Sequence, residues 1–446
     1  MGALFNSLER QECDSPKCHP NTRVAVINRL IQWIKGEIED DALIMWLYGA
    51  AGAGKSAIAY TLAELCHNCG WLLASFFFWK SSGERNNVGR FIATIAYQVI
   101  QAIPASRELI EAIVNSDPYI FNQSIDVQLA KLIIEPIHEL HSRGMIFDIS
   151  PLVLIIDGLD ECRGNGVQSG IVKSLAVAFH HFPLRIRILI TSRPEVYLQS
   201  TFNSSSIQPR LSRLALSDEY APEKDIRQYL KDSFEKIRRE HHLASYIPDS
   251  WPTPEVLDEL TQKSSGQFIF ASTAVKYTGG DPSELPTRRL DVIRRLQPPR
   301  GKEDLPYAEL DSLYNHVLSN VHDIEQVKQV LGVLVIVNHR LGDIDEDFDQ
   351  DRLESMDRFL FWQPGETKAC LSQLASIIEC SAYNGVNILH ASLSDFLLDP
   401  CRSDRFYLCR ESVLSDSLPL AIRNWTRHLP DGEGASFSIL LISSTQ

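Results

Sequence analysis

Short continuous apolar runs alternate with helical segments in the part of the chain before Phe202. The apolar runs predict four buried strands, at Ala42–Tyr48, Leu72–Trp79, Leu152–Ile156 and Ile186–Thr191. Around them, apolar residues recur at helical spacing, which predicts helices at Asn21–Ile38, Ala57–His67, Val88–Ile103 and Val172–His181. Thr22 is predicted to cap the first of these helices. Strands that alternate with helices indicate a parallel sheet covered by helices on both faces.

The pattern changes after Phe202, where helical spacing predominates. We expect helices at Asp225–Glu240, Pro254–Lys263 and Gly266–Tyr277. The segment Gly279–Gly301 is rich in Pro, Arg and Gly, so it is predicted to be a connector. Beyond it, several helices and two short extended pieces are predicted, the extended pieces at Leu341–Ile344 and Asn387–His390. The second half of the chain is therefore expected to be mainly helical.

Composition and charge narrow the class of protein. The 446 residues are 44% hydrophobic, which suits two to four globular domains. A net charge of −14 argues against general attraction to nucleic acid or to anionic lipid. Nine cysteines are ordinary for a reducing compartment, and their spacing does not form the two pairs of a structural zinc site. No apolar run has the length of a membrane span, so a cytoplasmic protein is expected.

One segment matches a complete phosphate-binding P-loop, G-x-x-x-x-G-K-S, between a predicted strand and a predicted helix. Its glycines allow the backbone N–H groups to wrap around a phosphate. Lys55 is expected to reach the β- and γ-phosphates, and the Ser56 hydroxyl to ligate Mg²⁺. The predicted nucleotide-binding residues of this motif are Gly49, Gly52, Ala53, Gly54, Lys55, Ser56 and Ala57.

Two more strands end in charged residues. The strand Leu152–Ile156 delivers Asp157 to the carboxyl edge of the sheet, where ligands bind in open α/β folds. Asp157 is predicted to hold Mg²⁺, and Asp160 or Glu161 to orient an attacking water molecule. The strand Ile186–Thr191 leads to Arg193, which is predicted to neutralise the γ-phosphate.

The order of these motifs resembles the NACHT branch of the STAND signal-transduction ATPases. The resemblance rests on the P-loop, the D-G-L-D-E segment that begins at Asp157 and the T-S-R-P segment that begins at Thr191. The flanks of these motifs are similar to those of fungal NACHT proteins and nephrocystin-like N-terminal domains. The resemblance covers roughly residues 15 to 400. It implies an α/β P-loop core followed by a helical domain and a winged-helix domain. The implied boundaries are 1–20 for an N-terminal extension, 21–205 for the P-loop domain, 206–300 for the helical domain, 301–400 for the winged helix, and 401–446 for the start of a C-terminal helical segment.

The resemblance also implies roles for residues outside the core motifs. His390 corresponds to a winged-helix histidine that contacts the β-phosphate of bound ADP and holds a closed state. Thr22 and Arg23 correspond to residues close to the adenine. The residues alone leave simpler alternatives open: His390 as a half-buried histidine bonded to backbone, and Thr22 as a helix cap.

The function that the resemblance implies is a slow Mg²⁺-dependent NTPase that acts as a molecular switch. ATP and ADP, or GTP and GDP, are the expected nucleotides, because phosphate motifs do not distinguish the base. Such a switch is expected to form a homo-oligomer when activated and to act on a protein signalling partner whose identity the sequence does not indicate. Two other functions stay open: a nucleotide-binding scaffold without turnover, and a P-loop ATPase or kinase that acts on a small molecule.

Overall fold

The structure, a computed structural model, comprises two compact units, Met1–Val275 and Lys276–Gln446. It describes residues 17–80, 85–86, 88–146, 150–180, 182, 184–216, 220–299, 301, 305, 307–337, 352–381 and 385–417. Most of the predicted N-terminal extension, the predicted extended piece Leu341–Ile344 and the end of the predicted C-terminal segment lie outside these residues. Within them, no helix is long and apolar enough to cross a bilayer.

A five-stranded parallel sheet forms the centre of the first unit. Its strands are β1 (Ile44–Tyr48), β2 (Leu72–Phe77), β3 (Leu152–Asp157), β4 (Ile186–Ser192) and β5 (Leu211–Ala215). Their order across the sheet is β2-β3-β4-β1-β5, and every neighbouring pair is parallel. The four predicted strands are confirmed. The fifth was not predicted, because it lies at the sheet edge and carries an exposed Arg213 between buried Ser212 and Leu214.

Helices cover both faces of this sheet. The helices before β5 are α1 (Val24–Lys35), α2 (Lys55–Asn68), α3 (Phe91–Ala102), α4 (Arg107–Ser116), α5 (Ile125–Leu129), α6 (Glu135–Ser142), α7 (Asn165–Ala178) and α8 (Val196–Phe202). On one face, α1 and α2 pack against Met45 and Leu47 of β1. On the other face, Ile44 and Trp46 join the core formed with α3 to α8. Alternate residues of one strand therefore enter two separate cores, as a doubly covered sheet requires.

The beginning of α1 differs from the prediction. Thr22 does not cap this helix, because its hydroxyl donates a hydrogen bond to the carbonyl oxygen of His19. The position before the helix is occupied by Arg23, whose φ of 56° lies in the left-handed region and whose side chain caps no N–H group. The predicted cap is therefore wrong, and the turn from His19 to Arg23 is stabilised by its own hydrogen bond instead.

Three further helices belong wholly or mainly to the first unit: α9 (Pro222–Glu240), α10 (Pro254–Ser264) and α11 (Phe268–Gly279). They confirm the three helices that were predicted after Phe202. Ile226, Leu230 and Phe234 lie along one buried face of α9, at the spacing that a helix packed against a core requires.

The second unit is mainly helical in its described residues. Its helices are α12 (Pro286–Arg295), α13 (Ala308–Ser319), α14 (Ile324–Gly332), α15 (Arg352–Leu360), α16 (Glu366–Leu371), α17 (Ala391–Leu397) and α18 (Pro400–Ser403). Strands β6 (Ile378–Ser381) and β7 (Gly385–Ile388) form an antiparallel pair. The predicted connector is wrong in part, because α12 lies within it: Leu290 and Ile293 are buried, and the surrounding arginines concealed this apolar face. The winged helix stays a prediction.

Candidate functional site

The P-loop connects β1 to α2 at the carboxyl edge of the parallel sheet. Gly52 and Gly54 have φ angles of 76° and 89°, which side-chain-bearing residues rarely adopt. Packing also excludes other residues at position 52, because a Cβ there would overlap the side chain of Ile269 on α11. The two glycines are thus required by the shape of the loop, and Gly52 also by the helix that packs against it.

Lys55 begins α2, and its side chain folds back over the loop. Its Nζ donates hydrogen bonds to the carbonyl oxygens of Gly49 and Ala50, each at 2.9 Å. Burial lowers the pKa of Lys55, and the nearby Asp160 carboxylate opposes that shift. Ser56 and Ala57 follow in the first turn of α2, whose N-terminal N–H groups carry partial positive charge. The predicted phosphate-binding residues therefore lie together at one helix N-terminus.

Asp157 lies at the end of β3 and is 2% exposed. Its Oδ1 accepts a hydrogen bond of 2.6 Å from the hydroxyl of Thr191 on the neighbouring strand β4. The same Thr191 oxygen accepts a hydrogen bond of 3.0 Å from the N–H of Gly158. Thr191 therefore sets the orientation of the Asp157 carboxylate, a role that sequence reasoning missed although the residue lies in the motif before Arg193.

Asp160 and Arg193 form an ion pair between the ends of β3 and β4. Nε of Arg193 lies 3.2 Å from Oδ2 of Asp160, and the backbone N–H of Arg193 donates to Oδ1 at 3.0 Å. The side chain of Asp160 is 8% exposed and that of Arg193 is 21% exposed. This pair places both residues at the same sheet edge, but with their charges directed at each other.

Glu161 follows Asp160 in a short 3₁₀ turn. Its Oε2 accepts a hydrogen bond of 2.9 Å from the backbone N–H of Lys80, which follows β2. Burial raises the pKa of Glu161 to about 7, and the charge of Asp160 contributes in the same direction. A carboxyl group with this pKa changes its protonation state close to neutral pH, as a general base requires.

Arg23 lies against the outer side of the P-loop. Its Nη2 donates a hydrogen bond of 2.9 Å to the carbonyl oxygen of Ala53, and the guanidinium carbon lies 5.0 Å from the centre of the Phe268 ring. The backbone N–H of Arg23 donates to Asp225 of α9 at 2.9 Å. Arg23 is 4% exposed, and within the described residues its Nε and Nη1 have no hydrogen-bond partner. Burial lowers the pKa of this guanidinium, which Asp225 partly offsets.

His390 belongs to the second unit and lies at the N-cap of α17. Its Nδ1 accepts a hydrogen bond of 3.0 Å from the N–H of Ser392 and lies 2.7 Å from the Ser392 hydroxyl. That hydroxyl lies 2.8 Å from the hydroxyl of the buried Tyr314. Because Nδ1 is an acceptor, a neutral His390 carries its proton on Nε2. The backbone-bonded histidine foreseen as an alternative is thus present, while the phosphate contact stays a prediction.

The residues around the P-loop, at the carboxyl edge of the parallel sheet, suit a nucleotide with Mg²⁺. Mg²⁺ prefers oxygen ligands and keeps much of its coordination for water and phosphate, so the Ser56 hydroxyl and the Asp157 carboxylate are a suitable protein contribution. Within the described residues, no group of three or more His, Cys, Asp or Glu is arranged to hold a metal ion by itself. The unsatisfied N–H groups of Arg23 are suited to donate hydrogen bonds to an oxygen or nitrogen atom of a ligand.

One family model matches the part of the chain that contains the P-loop and the strands around it. A family model described as "Nephrocystin 3, N-terminal" matches residues 28–193, which is less than half of the chain. No curated protein matches the chain.

Solved structures show only distant similarity. A signal transduction ATPase with numerous domains (STAND) and a tetratricopeptide repeat sensor, from Pyrococcus horikoshii, is 13% identical; the match covers 94% of this chain and 49% of that protein, with a TM-score of 0.42. The ORC1 protein of Aeropyrum pernix, solved in complex with DNA, is 13% identical over 92% of this chain and 96% of its own, with a TM-score of 0.40. At this overlap the likeness defines neither the fold nor the function of this chain.

Proposed function

We propose that this protein is a Mg²⁺-dependent nucleotide switch that binds a nucleoside triphosphate and hydrolyses it slowly. The observation that carries the proposal is the convergence of three features on one sheet edge. These are the P-loop with Lys55 across it, the Asp157–Thr191 pair, and the Asp160–Arg193 pair. The P-loop would bind the phosphate groups, Asp157 would hold Mg²⁺, and Asp160 is a candidate to orient an attacking water molecule.

Binding would be carried by the P-loop and the residues beside it. The backbone N–H groups of the loop and the N-terminus of α2 would surround the phosphates, and Lys55 would exchange its contacts with Gly49 and Ala50 for phosphate oxygens. Ser56 and Asp157 would hold Mg²⁺, which neutralises phosphate charge when bound. Thr22 and Arg23 would lie near the base, as the family resemblance implies. The base itself, adenine or guanine, is left open by these contacts.

Slow turnover is consistent with the charges of the acidic segment. The pKa of Glu161, about 7, suits a general base, but the group is ionised in only part of the molecules at neutral pH, which limits the rate. Arg193 is paired with Asp160, and it would have to leave this partner to reach a γ-phosphate. Both features reduce the rate of hydrolysis without weakening the P-loop, which suits a switch better than a metabolic enzyme.

Switching would depend on His390. Its Nδ1 is occupied as an acceptor, so Nε2–H is the donor that could contact the β-phosphate of a diphosphate. A diphosphate that gains this contact would favour a closed state, and a triphosphate an open state that oligomerises and engages a signalling partner. The size of the effect is limited to the difference in affinity of each nucleotide for the two states.

One experiment tests the proposal directly. The purified protein is analysed for bound nucleotide, and binding of Mg·ATP and Mg·GTP is measured by calorimetry together with single-turnover hydrolysis. Lys55→Ala is the matched control, because the hydrogen bonds of Lys55 go to carbonyl oxygens of its own loop and its loss should leave the fold intact. We expect tight binding by the parent and none by Lys55→Ala. Equal binding by the two proteins would refute the proposal.

A second candidate function is a nucleotide-binding scaffold without significant turnover. The Asp160–Arg193 pair favours it, because both candidate catalytic charges already satisfy each other. The same experiment separates the two: a scaffold binds nucleotide but shows no hydrolysis in a single turnover, at any pH at which Glu161 is ionised.

A further inference from the structure

We propose that Arg23 and Ile269 are positioning residues that hold the P-loop backbone in its phosphate-binding shape. This inference rests on the proposed function and assigns these residues an action on the loop itself rather than on the base. It joins the segment before α1 and the first turn of α11 to the centre of the P-loop.

The first observation concerns the peptide between Ala53 and Gly54. Arg23 Nη2 donates to the carbonyl oxygen of Ala53, at 2.9 Å and out of contact with water. In a planar trans peptide the N–H group points opposite to the preceding carbonyl. By holding the carbonyl of Ala53 outward, Arg23 directs the N–H of Gly54 to the other side of the loop. Gly54 is the last residue before α2, where P-loop N–H groups surround a phosphate.

The second observation concerns Gly52, one residue earlier. The Cβ of Ile269 would lie 2.9 Å from a Cβ added at Gly52, and the Cγ2 of Ile269 would lie still closer. The Ile269 side chain therefore covers the bare Cα of Gly52 and prevents the loop from moving outward. Phe268, which precedes it, lies under the Arg23 guanidinium, so the two positioning residues share a neighbour.

The third observation is that Arg23 combines several features that are unfavourable for stability. Its backbone adopts a left-handed φ of 56°, and its N–H is bonded to Asp225 of α9. Its cation is buried, with two nitrogen atoms, Nε and Nη1, that have no hydrogen-bond partner within the described residues. A strained backbone and a desolvated charge are unfavourable for stability, and such features are found where function requires them. The hydrogen bond from Arg23 to Ala53 of the P-loop is the functional contact that accounts for these features.

The proposal makes a prediction that separates a positioning role from base recognition. Binding of Mg·tripolyphosphate, which has no base, is measured by calorimetry beside Mg·ATP and Mg·GTP. Arg23→Met should weaken all three by the same factor, about five- to tenfold, the worth of one hydrogen bond. Arg23→Lys, which keeps a donor, should restore part of the loss.

Stability of the ligand-free protein is the internal control. Arg23→Met removes a buried charge whose N–H groups are only partly satisfied, so the melting temperature should stay equal or rise. If Arg23→Met weakens the nucleotides but leaves tripolyphosphate binding unchanged, Arg23 acts on the base and the proposal is overturned. If the parent binds none of the three probes, the proposed function itself fails, which is a different outcome.

A double-mutant cycle tests Ile269. Gly52→Ala should weaken tripolyphosphate binding in the parent, because the new methyl group meets Ile269 and the φ of 76° is unfavourable for alanine. In the Ile269→Ala background the same change should cost less, because the nearer of the two overlapping atoms, Cγ2, is gone while the Cβ remains. Ile269 is half-buried, so its truncation should leave the protein folded. Equal effects of Gly52→Ala in both backgrounds would overturn the role of Ile269.

Discussion

Replacement of Glu161 by glutamine should change the pH dependence of stability. Burial raises the pKa of this carboxyl group from 4.5 to about 7 in the folded protein. Below about pH 4.5 both folded and unfolded chains hold the proton, and the favourable contribution of protonated Glu161 to folding is fully present. As the pH rises from about 4.5 to the folded pKa of about 7 this contribution is lost, because the unfolded chain ionises Glu161 while the buried carboxyl group of the folded state keeps its proton.

The magnitude follows from the shift. The difference between 4.5 and about 7 corresponds to roughly 3 kcal/mol at most. The interaction of Glu161 with Asp160 divides the shift between two groups, so about 1–3 kcal/mol is expected. Glutamine cannot ionise, and its amide oxygen can still accept from the N–H of Lys80. The Glu161→Gln variant should therefore exceed the parent's free energy of unfolding by less than about 1 kcal/mol at pH 5 and by about 1–3 kcal/mol at pH 8.

Urea unfolding of the ligand-free protein, followed by tryptophan fluorescence at pH 5 and at pH 8, measures this difference. Glu108→Gln, at an exposed position on α4, is the matched control and should show the same small effect at both pH values. Single-turnover hydrolysis on the same samples should be lost in Glu161→Gln and should rise in the parent around pH 7. A stability difference that is the same at pH 5 and pH 8 would refute the burial argument.

Three further predictions concern other parts of the molecule. Thr191→Val removes the hydroxyl that bonds Asp157 and Gly158, so it should lower the free energy of unfolding by about 1–3 kcal/mol and weaken nucleotide binding more with Mg²⁺ than without it, as titrations in EDTA would show. His390→Leu should speed ADP dissociation by about five- to hundredfold relative to ATP and raise the oligomeric fraction with ATP, measured by stopped flow and light scattering. Equal ADP off-rates in the two proteins would mean that His390 only caps helix α17. Asp311→Ala removes the bidentate partner of Arg402, whose side chain is 15% exposed, and thermal unfolding should show a loss of about 1.5–3 kcal/mol in the second unit.

The sheet was largely predictable because its central strands are buried on both faces. The segment Leu152–Ile156 is a continuous apolar run, and Ile188–Ile190 is a shorter one inside a strand that is buried throughout. Such runs are strands with few alternatives when polar or charged residues bound them. The edge strand Leu211–Ala215 pairs with β1 alone, and its two leucines are three residues apart, a spacing that also suits a short helix. The helix Pro286–Arg295 was missed for a related reason, because two buried residues among many arginines give a weak signal.

The candidate site was predictable where a local motif carries it and not where distant segments meet. The P-loop and the acidic segment are each contiguous, so their residues could be named from spacing alone. The contact of Ile269 with Gly52 joins residues that are far apart in sequence, and only packing reveals it. The ion pair of Asp160 with Arg193 was also not predicted, because a sequence pattern locates charges at a sheet edge but not their partners.

The internal hydrogen-bond acceptors of Lys55 and Arg193 affect how tightly a phosphate would bind at the site. Lys55 bonds to carbonyl oxygens of its own loop, and Arg193 bonds to Asp160, so each cation already has an internal acceptor. Phosphate oxygens must therefore compete with existing contacts, and their net gain is smaller than the strength of a charged hydrogen bond in isolation. When the Arg193 side chain turns to a phosphate, Oδ2 of Asp160 loses its ion-pair contact and becomes available to a water molecule, while Oδ1 keeps its hydrogen bond from the backbone N–H of Arg193. Recognition of the γ-phosphate and preparation of the attacking water would then be one event, which a diphosphate could not trigger.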